Sequence, residues 1–248
     1  AAEEAGSPKT VSQNEPTETD ENTILEQDED RDLEESESIL VVGRSGKVAR
    51  VAGSAHKVNQ ETLEKQEYDD VHRVLKQVPG VYVREEDGFG LRPNIGLRGA
   101  NSDRSAKITL MEDGVLLAPA PYSAPAAYYF PLATRLTGLE VYKGPASIMH
   151  GPNTIGGAVN LVTCTVPAQG VDAMIDLSGG MRNSAKAHGS LGFGERLYGL
   201  VLEGAFLRSD GFKELDGGGH TGFDKYDLMA KFRVNNDPGS KIHHRFDL

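Results

Sequence analysis

The glycine-rich stretch at residues 143–163, KGPASIMHGPNTIGGAVNLVT, is the first candidate for chemistry, because closely spaced glycines can cradle a phosphate group. A nucleotide-binding phosphate loop ends in Gly-Lys-Ser/Thr, whereas these glycines end in GGAVN. GRSGKVAR at residues 43–50 has a Gly-Lys pair but lacks the hydroxyl residue and the spacing. In GFGLRP, Pro93 stands where a dinucleotide fingerprint needs glycine. The sequence therefore disfavours a nucleotide site.

Residues that bind metals or act as nucleophiles show no suitable spacing either. The seven histidines are scattered apart from His243-His244, whose side chains would point to opposite faces of a strand. Cys164 is the single cysteine, and no His/Cys pair has zinc-binding spacing. The sequence also lacks a G-x-S-x-G nucleophile elbow. We therefore predict no catalytic residue, no metal site and no cofactor, in a protein that is not an enzyme.

The charge of the chain is concentrated in its N-terminal tail. The whole sequence has a formal net charge of −11, but residues 1–37 hold fourteen acidic residues against two basic ones. Residues 38–248 are consequently almost neutral. The tail has few aliphatic residues and no aromatic ones, so we expect it to be disordered. Neither segment carries a basic stripe, and nucleic acid is not expected as a partner.

The residues between Asn59 and Thr165 have the pattern of a small α+β domain. The spacing of apolar residues predicts a helix that begins near Asn59 and ends at Pro79-Gly80, with one apolar face formed by Leu63, Val71, Val74, Leu75 and Val78. After this helix, short aliphatic runs alternate with turn clusters as far as Thr165. These runs predict many short strands.

Beyond Thr165 the sequence alternates between apolar and polar residues. This pattern predicts five antiparallel strands, at residues 171–181, 184–193, 197–208, 224–234 and 242–248. The alternation by itself is equally typical of a soluble sandwich or barrel. Strands of about ten residues, longer than the usual five or six, and aromatic residues near their ends favour a membrane barrel.

Four motifs in order give the chain a resemblance to a known family. They are DVHRVLKQVPGVYV at residues 70–83, the Ile95–Gly99 segment in RPNIGLRG, the Asp113-Gly114 hairpin, and EVYKGPASIMHGPNTIGGAVNLVT at residues 140–163. In these motifs residues 38–248 resemble the TonB-dependent outer-membrane receptors. RPNIGLRG and APAPYSAPAAYY are most similar to receptors of the ferric-citrate type.

The resemblance implies an α+β plug domain followed by antiparallel strands of a transmembrane β-barrel. The family fold is a 22-stranded barrel with the plug in its lumen, so five strands would form an incomplete barrel, and we expect a fragment or one piece of a larger assembly. The resemblance divides the chain into an acidic tail, a TonB-box-like segment, a plug domain and the first barrel strands, at residues 1–37, 38–44, 45–168 and 169–248.

The resemblance also implies partners and binding residues. The extended, β-branched run Ile39, Leu40, Val41 and Val42 lies where the TonB box should be, and such a segment can add as a strand to the sheet of TonB. The alternative is an ordinary first strand of the plug. For the ligand we predict Arg104, Tyr122 and Ser123, because an arginine fork suits the carboxylates of an anionic iron chelate. A solvated arginine and a packed tyrosine are the alternative.

The predicted function is high-affinity uptake of a ferric chelate, either ferric citrate or a ferric siderophore. The expected location is the outer membrane of a Gram-negative cell, in contact with lipid, with the tail in the periplasm. Two alternatives stay open at this point. One is a receptor of the same family for cobalamin, zinc, haem or a carbohydrate, and the other is a soluble β-rich binding or adhesion module.

Overall fold

The structure, a computed structural model, describes residues 54–117, 126, 129–151, 154–235 and 245–247. These residues belong to one compact unit. The helices are α1 (Gln60–Gln66) and α2 (Val71–Leu75). The strands are β1 (Ser54–Val58), β2 (Val81–Arg84), β3 (Asn94–Leu97), β4 (Ile108–Glu112), β5 (Val115–Leu116), β6 (Leu136–Lys143), β7 (Gly157–Thr163), β8 (Gly170–Gly180), β9 (Ser184–Gly194), β10 (Tyr198–Ser209), β11 (Phe223–Asn235) and β12 (Arg245–Asp247).

The first five-stranded sheet, which we call the N-terminal sheet, has the strand order β1-β6-β7-β4-β5. Strands β4 and β7 are parallel, and the other neighbours are antiparallel. One face packs on the helices and on the β2–β3 pair through a large apolar core that includes Leu75, Ile95, Leu139 and Leu161, all fully buried. The predicted α+β arrangement is confirmed.

The predicted helix near Asn59 is in fact two short helices. The Asn59 side chain accepts a hydrogen bond from the backbone N–H of Thr62 and so begins α1, which ends at Glu67 in the left-handed conformation. Asp70 then caps α2. Most of α2 is buried, whereas α1 buries no residue completely, so packing favours a separate second helix over one continuous helix.

Backbone conformation and close backbone contacts explain why two of the motifs contain glycine. Asp113 and Gly114, with φ values of 50° and 81°, form the two-residue turn between β4 and β5, as the resemblance predicts. At Gly157, φ is +146°, and a β-carbon would collide with the carbonyl oxygen of Tyr142 and with Leu97. Gly157 therefore allows close packing of backbone against backbone.

The second sheet, which we call the strand sheet, is an antiparallel meander in the order β12-β11-β10-β9-β8. Four of the five strands predicted after Thr165 are present as β8 to β11, and β12 covers residues 245–247 of the fifth. The register pairs Leu202 with both Leu191 and Ala230. Strands β8 to β11 have 11 to 13 residues, so they are as long as the alternation indicated. Within the described part of the chain, none of the helices has the length and apolar character needed to span a lipid bilayer.

Candidate functional site

The two faces of the strand sheet have the opposite polarity to those of a soluble protein. The apolar side chains point away from the N-terminal sheet, and Ile175 and Leu228 are 80% and 84% exposed. The polar side chains point inward and are buried, among them Lys186, His188, Glu203, Asp227 and Arg233. Burying so many charged groups is unfavourable unless each group has a partner. Several of these partners come from the N-terminal part of the chain, so this contact is the candidate functional site.

Arg135 is the centre of the contact. It is the last residue of a single 3-10 turn, Ala133–Arg135, directly before β6, and its side chain is 1% exposed. The guanidinium lies 2.8 Å from Glu112 within the N-terminal sheet. It also lies 2.8 Å from Asp227 and 3.6 Å from Glu203 on the strand sheet, although its Nε is not aligned for a hydrogen bond with Asp227. One arginine therefore holds three carboxylates from both sheets.

The electrostatics of this group depend on burial and on the sharing of one positive charge. Burial raises the pKa of Glu112 above its usual range, and the attraction of Arg135 offsets this effect only in part. Burial alone would lower the pKa of Arg135, but Glu112 and Asp227 raise it. Both pKa values are raised, which favours the charged form of Arg135 and the neutral form of Glu112. The arginine has several carboxylate partners, whereas Glu112 shares its one cation with other carboxylates.

Asp227 also accepts hydrogen bonds from the segment that leads to Arg135. Its carboxylate accepts from the hydroxyl of Tyr129 and from the backbone N–H of Leu132, each at 2.9 Å. Burial, followed by the charge of Asp227, raises the pKa of the Tyr129 hydroxyl. Tyr129 therefore remains a neutral donor, and Asp227 ties β11 to residues 129–135.

Lys231 makes a second connection between the sheets, through the Asp113-Gly114 turn. Its ammonium group donates to Asp113 at 2.6 Å, to the Thr163 hydroxyl at 2.7 Å and to the Cys164 carbonyl at 2.8 Å. Asp113 in turn accepts from the backbone N–H and the hydroxyl of Thr163. The turn that the resemblance identified therefore binds the end of β7 and the strand sheet.

Arg233 holds the segment that joins the two sheets. Its guanidinium donates to the carbonyl oxygens of Val166, Pro167 and Ala168 at 3.1, 2.8 and 3.2 Å. The segment lies in a groove floored by glycines, since a β-carbon at Gly194 would collide with the carbonyl of Pro167. The connection between β7 and β8 is thus fixed on the strand sheet by a buried arginine.

Cys164 lies beside the same carboxylates. Its thiol donates to Glu203 across 3.5 Å, and Glu203 also bonds His188 at 2.8 Å. Burial and the Glu203 carboxylate raise the pKa of the Cys164 thiol to about 12. The thiol is therefore protonated at neutral pH and acts here as a weak hydrogen-bond donor.

Of the predicted ligand-binding and TonB-binding residues, the structure describes only Arg104. Arg104 is exposed in a left-handed turn, where its backbone N–H donates to the Asn94 side chain at 2.7 Å. Its neighbour Asp103 pairs with Arg84 at 2.9 Å. The remaining predicted residues lie outside the described residues: Ile39, Leu40, Val41, Val42, Tyr122 and Ser123. Their roles stay predictions.

Arg104 lies at the end of the molecule where residues 85–93 connect β2 and β3. Arg84 and Asn94 lie at the end of the β2–β3 pair from which residues 85–93 project. In that loop, Phe89 contacts the rings of Phe212 and Phe223, with ring centroids 5.7 and 4.8 Å apart. Arg104 is therefore at the same end as the long β10–β11 connection.

Sequence reasoning missed the residues of the contact itself. In the alternating residues 224–234, Asp227, Lys231 and Arg233 share one polar face. A buried polar face needs charged partners, but the partner Arg135 lies 92 residues before Asp227, and nothing in local spacing connects them. In the part of the chain that the structure describes, no group of three or more His, Cys, Asp or Glu residues is arranged for a metal ion.

Removal of the central cation is predicted to destabilise the contact strongly. Arg135→Met leaves Glu112, Glu203 and Asp227 without their shared cation, which should lower the free energy of unfolding by about 3–5 kcal/mol. Urea unfolding of the protein in detergent, followed by circular dichroism, measures this change. The matched control is Arg208→Met, because the Arg208–Asp224 pair is exposed and should contribute no more than about 0.5 kcal/mol. Equal midpoints for the two variants would contradict the central role of Arg135.

The sequence of the chain is similar to those of known proteins. The family model described as the TonB-dependent Receptor Plug Domain matches residues 47–158. The vitamin B12 transporter BtuB of Vibrio vulnificus (strain CMCP6) is 26% identical over 188 residues, which are 75% of this chain and 30% of that protein.

Solved structures of similar fold agree with the sequence matches. The ferric citrate transporter FecA in the unliganded form aligns with 27% identity and a TM-score of 0.64, over 81% of this chain and 32% of FecA. The siderophore receptor PirA from Acinetobacter baumannii aligns with 18% identity and a TM-score of 0.58, over 79% of this chain and 31% of PirA, and supports the fold. The chain spans about a third of the length of each of these proteins. The chain is thus similar to TonB-dependent receptors in its plug domain, at residues 47–158, and in the antiparallel strands that follow it.

Proposed function

We propose that this chain is part of an outer-membrane receptor that takes up a ferric chelate, either ferric citrate or a ferric siderophore, with energy from TonB. In this proposal the strand sheet is part of a membrane barrel wall and the N-terminal part is the plug inside it. The protein binds and transports its ligand and performs no chemical reaction on it. The N-terminal tail lies in the periplasm.

The observation that carries the proposal is the polarity of the strand sheet. Its outward side chains are apolar and largely exposed, including Ile175, Leu177 and Leu228, whereas its inward side chains are charged and buried against the plug domain. A soluble sandwich or barrel buries its apolar face, so this arrangement disfavours a soluble binding module. A transmembrane barrel has an apolar outer face in lipid and a polar interior.

The names of two aligned structures favour a ferric chelate as the ligand. FecA, named as a ferric citrate transporter, aligns over most of the chain, and PirA is named as a siderophore receptor. BtuB is named as a vitamin B12 transporter, so cobalamin is the second candidate. Arg104 favours an anionic ligand, because an exposed guanidinium can bind a carboxylate through two parallel hydrogen bonds.

The orientation of the plug supports a ligand site near Arg104. Long connections between strands lie on the extracellular side of outer-membrane barrels, and the β10–β11 connection at residues 210–222 is much longer than the β9–β10 connection at residues 195–197, which lies at the opposite end of the strands. Phe89 joins the plug to the β10–β11 connection. Arg104 then faces the outside of the cell, and we propose Tyr122 and Ser123 as further ligand contacts there.

Titration of the purified full protein with ferric citrate and with cyanocobalamin tests this function. We expect saturable quenching of tyrosine fluorescence by ferric citrate, and a loss of about tenfold or more in affinity for Arg104→Ala, the size expected for a charge-assisted hydrogen bond. Arg92→Ala, which removes another exposed arginine from the same end of the plug, is the matched control. Binding of cyanocobalamin alone would contradict the ferric ligand, and unchanged affinity in Arg104→Ala would remove this residue from the site.

The TonB interaction is tested by a substitution in the proposed box, Ile39 to Val42. Proline at Leu40 removes a backbone donor from a strand that should pair with TonB. Leu40→Pro should abolish the uptake of radiolabelled ferric citrate by cells and leave its binding to isolated membranes unchanged. Leu40→Ile keeps an extended apolar segment and should retain uptake. Normal uptake by Leu40→Pro would show that these residues are not the box.

A further inference from the structure

The turn that carries Arg104, at residues 101–105, has an unusual backbone. Arg104 and Ser105 both lie in the left-handed region, with φ values of 50° and 55°. Residues other than glycine are uncommon there, and two in succession persist only where the surrounding structure holds them. Strain of this kind is concentrated at functional sites. We call residues 101–105 the Arg104 turn, and its neighbours have to supply the contacts that offset the strain.

Asn94 fixes the backbone of Arg104. It is the first residue of β3 and is 1% exposed, and its side-chain oxygen accepts from the Arg104 backbone N–H at 2.7 Å. The side-chain nitrogen of Asn94 donates to the carbonyl oxygen of Arg84 at 3.4 Å. A buried amide side chain that is bonded through both its oxygen and its nitrogen keeps one orientation. Asn94 therefore connects the Arg104 turn to β2 and β3.

Ser105 fixes the other half of the turn. Its side chain is fully buried, and its hydroxyl donates to the carbonyl oxygen of Pro93 at 2.9 Å and accepts from the backbone N–H of Ile95 at 3.0 Å. The turn also approaches β3 closely, because a β-carbon at Gly96 would lie 2.4 Å from the carbonyl oxygen of Ala100. The strained turn is thus held on the backbone of β3 by buried polar contacts.

The carboxylate beside Arg104 already has a partner. Asp103 accepts from the guanidinium of Arg84 at 2.9 Å, and both side chains are about half exposed. Arg104 is also exposed, and within the described part of the chain its guanidinium makes no hydrogen bond or ion pair. A guanidinium in this state can bind a carboxylate through two parallel hydrogen bonds. Arg104 is therefore available to an anion from solution.

From these contacts we infer that Asn94 and Arg84 are positioning residues for an anionic ligand. Asn94 holds the backbone of Arg104 in the conformation that presents its side chain, and Arg84 keeps the Asp103 carboxylate from pairing with that side chain or repelling the ligand. The ligand group that suits this arrangement is a carboxylate. A site that is ordered beforehand loses less entropy on binding. The inference rests on the proposed function for the role of Arg104, and it adds two residues that act through Arg104.

Hydrogen exchange tests the role of Asn94 without any ligand. In Asn94→Ala the Arg104 amide loses its acceptor, so in the full protein this amide should exchange about five- to tenfold faster, the effect of losing one hydrogen bond. Mass spectrometry with fragmentation to single residues measures the rate.

Asn101→Ala is the matched control for Asn94→Ala. Asn101 is an exposed asparagine of the same turn, and its side chain accepts from the Asp103 backbone N–H instead. This variant should leave the exchange rate of the Arg104 amide within about twofold of that in the unmodified protein. An unchanged rate in Asn94→Ala, or the same acceleration in Asn101→Ala, would overturn the role of Asn94.

Titration with ferric citrate tests whether Asn94 acts through Arg104. Asn94→Ala should weaken binding about five- to tenfold in the unmodified protein and cause no further loss when Arg104→Ala is already present. A purely structural role would reduce affinity by the same factor in both backgrounds. That result, or unchanged affinity in Asn94→Ala, would contradict the inference.

Arg84 is tested by a rescue experiment. Arg84→Met leaves the Asp103 carboxylate unpaired beside Arg104, and should weaken ferric citrate binding about three- to fivefold. Adding Asp103→Asn removes this charge and should restore the affinity to within about twofold. Both side chains are half exposed, so neither change should prevent folding. Unchanged affinity in Arg84→Met, or no recovery in the double variant, would rule out the role of Arg84.

The two kinds of measurement separate this inference from the proposed function. If the unmodified protein does not bind ferric citrate, the proposed ligand is wrong. The exchange rate of the Arg104 amide still decides whether Asn94 holds the turn, because that measurement uses no ligand.

Discussion

Arg135 binds three carboxylates that come from both sheets, and the arrangement of the molecule depends on this contact. The inward face of the strand sheet is charged, and charges leave water only when other charges or polar groups replace it. In the plug, Arg135 and the Asp113-Gly114 turn supply those groups. On the strands, Lys231 donates to Asp113 and Arg233 donates to the carbonyl of Val166. The apolar residues are left on the opposite, outward face.

The same contact fixes one side of the plug on the strand sheet. Buried charge networks are costly to break one member at a time, so they fix the β10–β11 side and the joining segment at Arg233. The side near α1 faces a cavity and has a partly exposed ion pair instead.

Much of the fold could be predicted from local patterns, and the contact between the sheets could not. Alternation with a period of two placed Asp227 and Lys231 on the polar face, and the Asp113-Gly114 turn has the backbone angles that its sequence requires. The break between α1 and α2 was missed because helical spacing continues across Glu67, and only packing shows that the two parts differ. Arg135 was missed because its partners are distant in sequence.

We propose that the strand sheet has its apolar face in lipid and its polar face against the plug. Adjacent residues on β9 test this claim most directly, because Leu191 points outward and Ser190 lines the cavity. Nitroxide labels at Leu191→Cys and Ser190→Cys, in a Cys164→Ser background in lipid bilayers, report collisions with oxygen and with a water-soluble nickel chelate. We predict frequent oxygen collisions at position 191 and few at position 190. Equal oxygen accessibility at the two positions, or nickel access at position 191, would contradict the account.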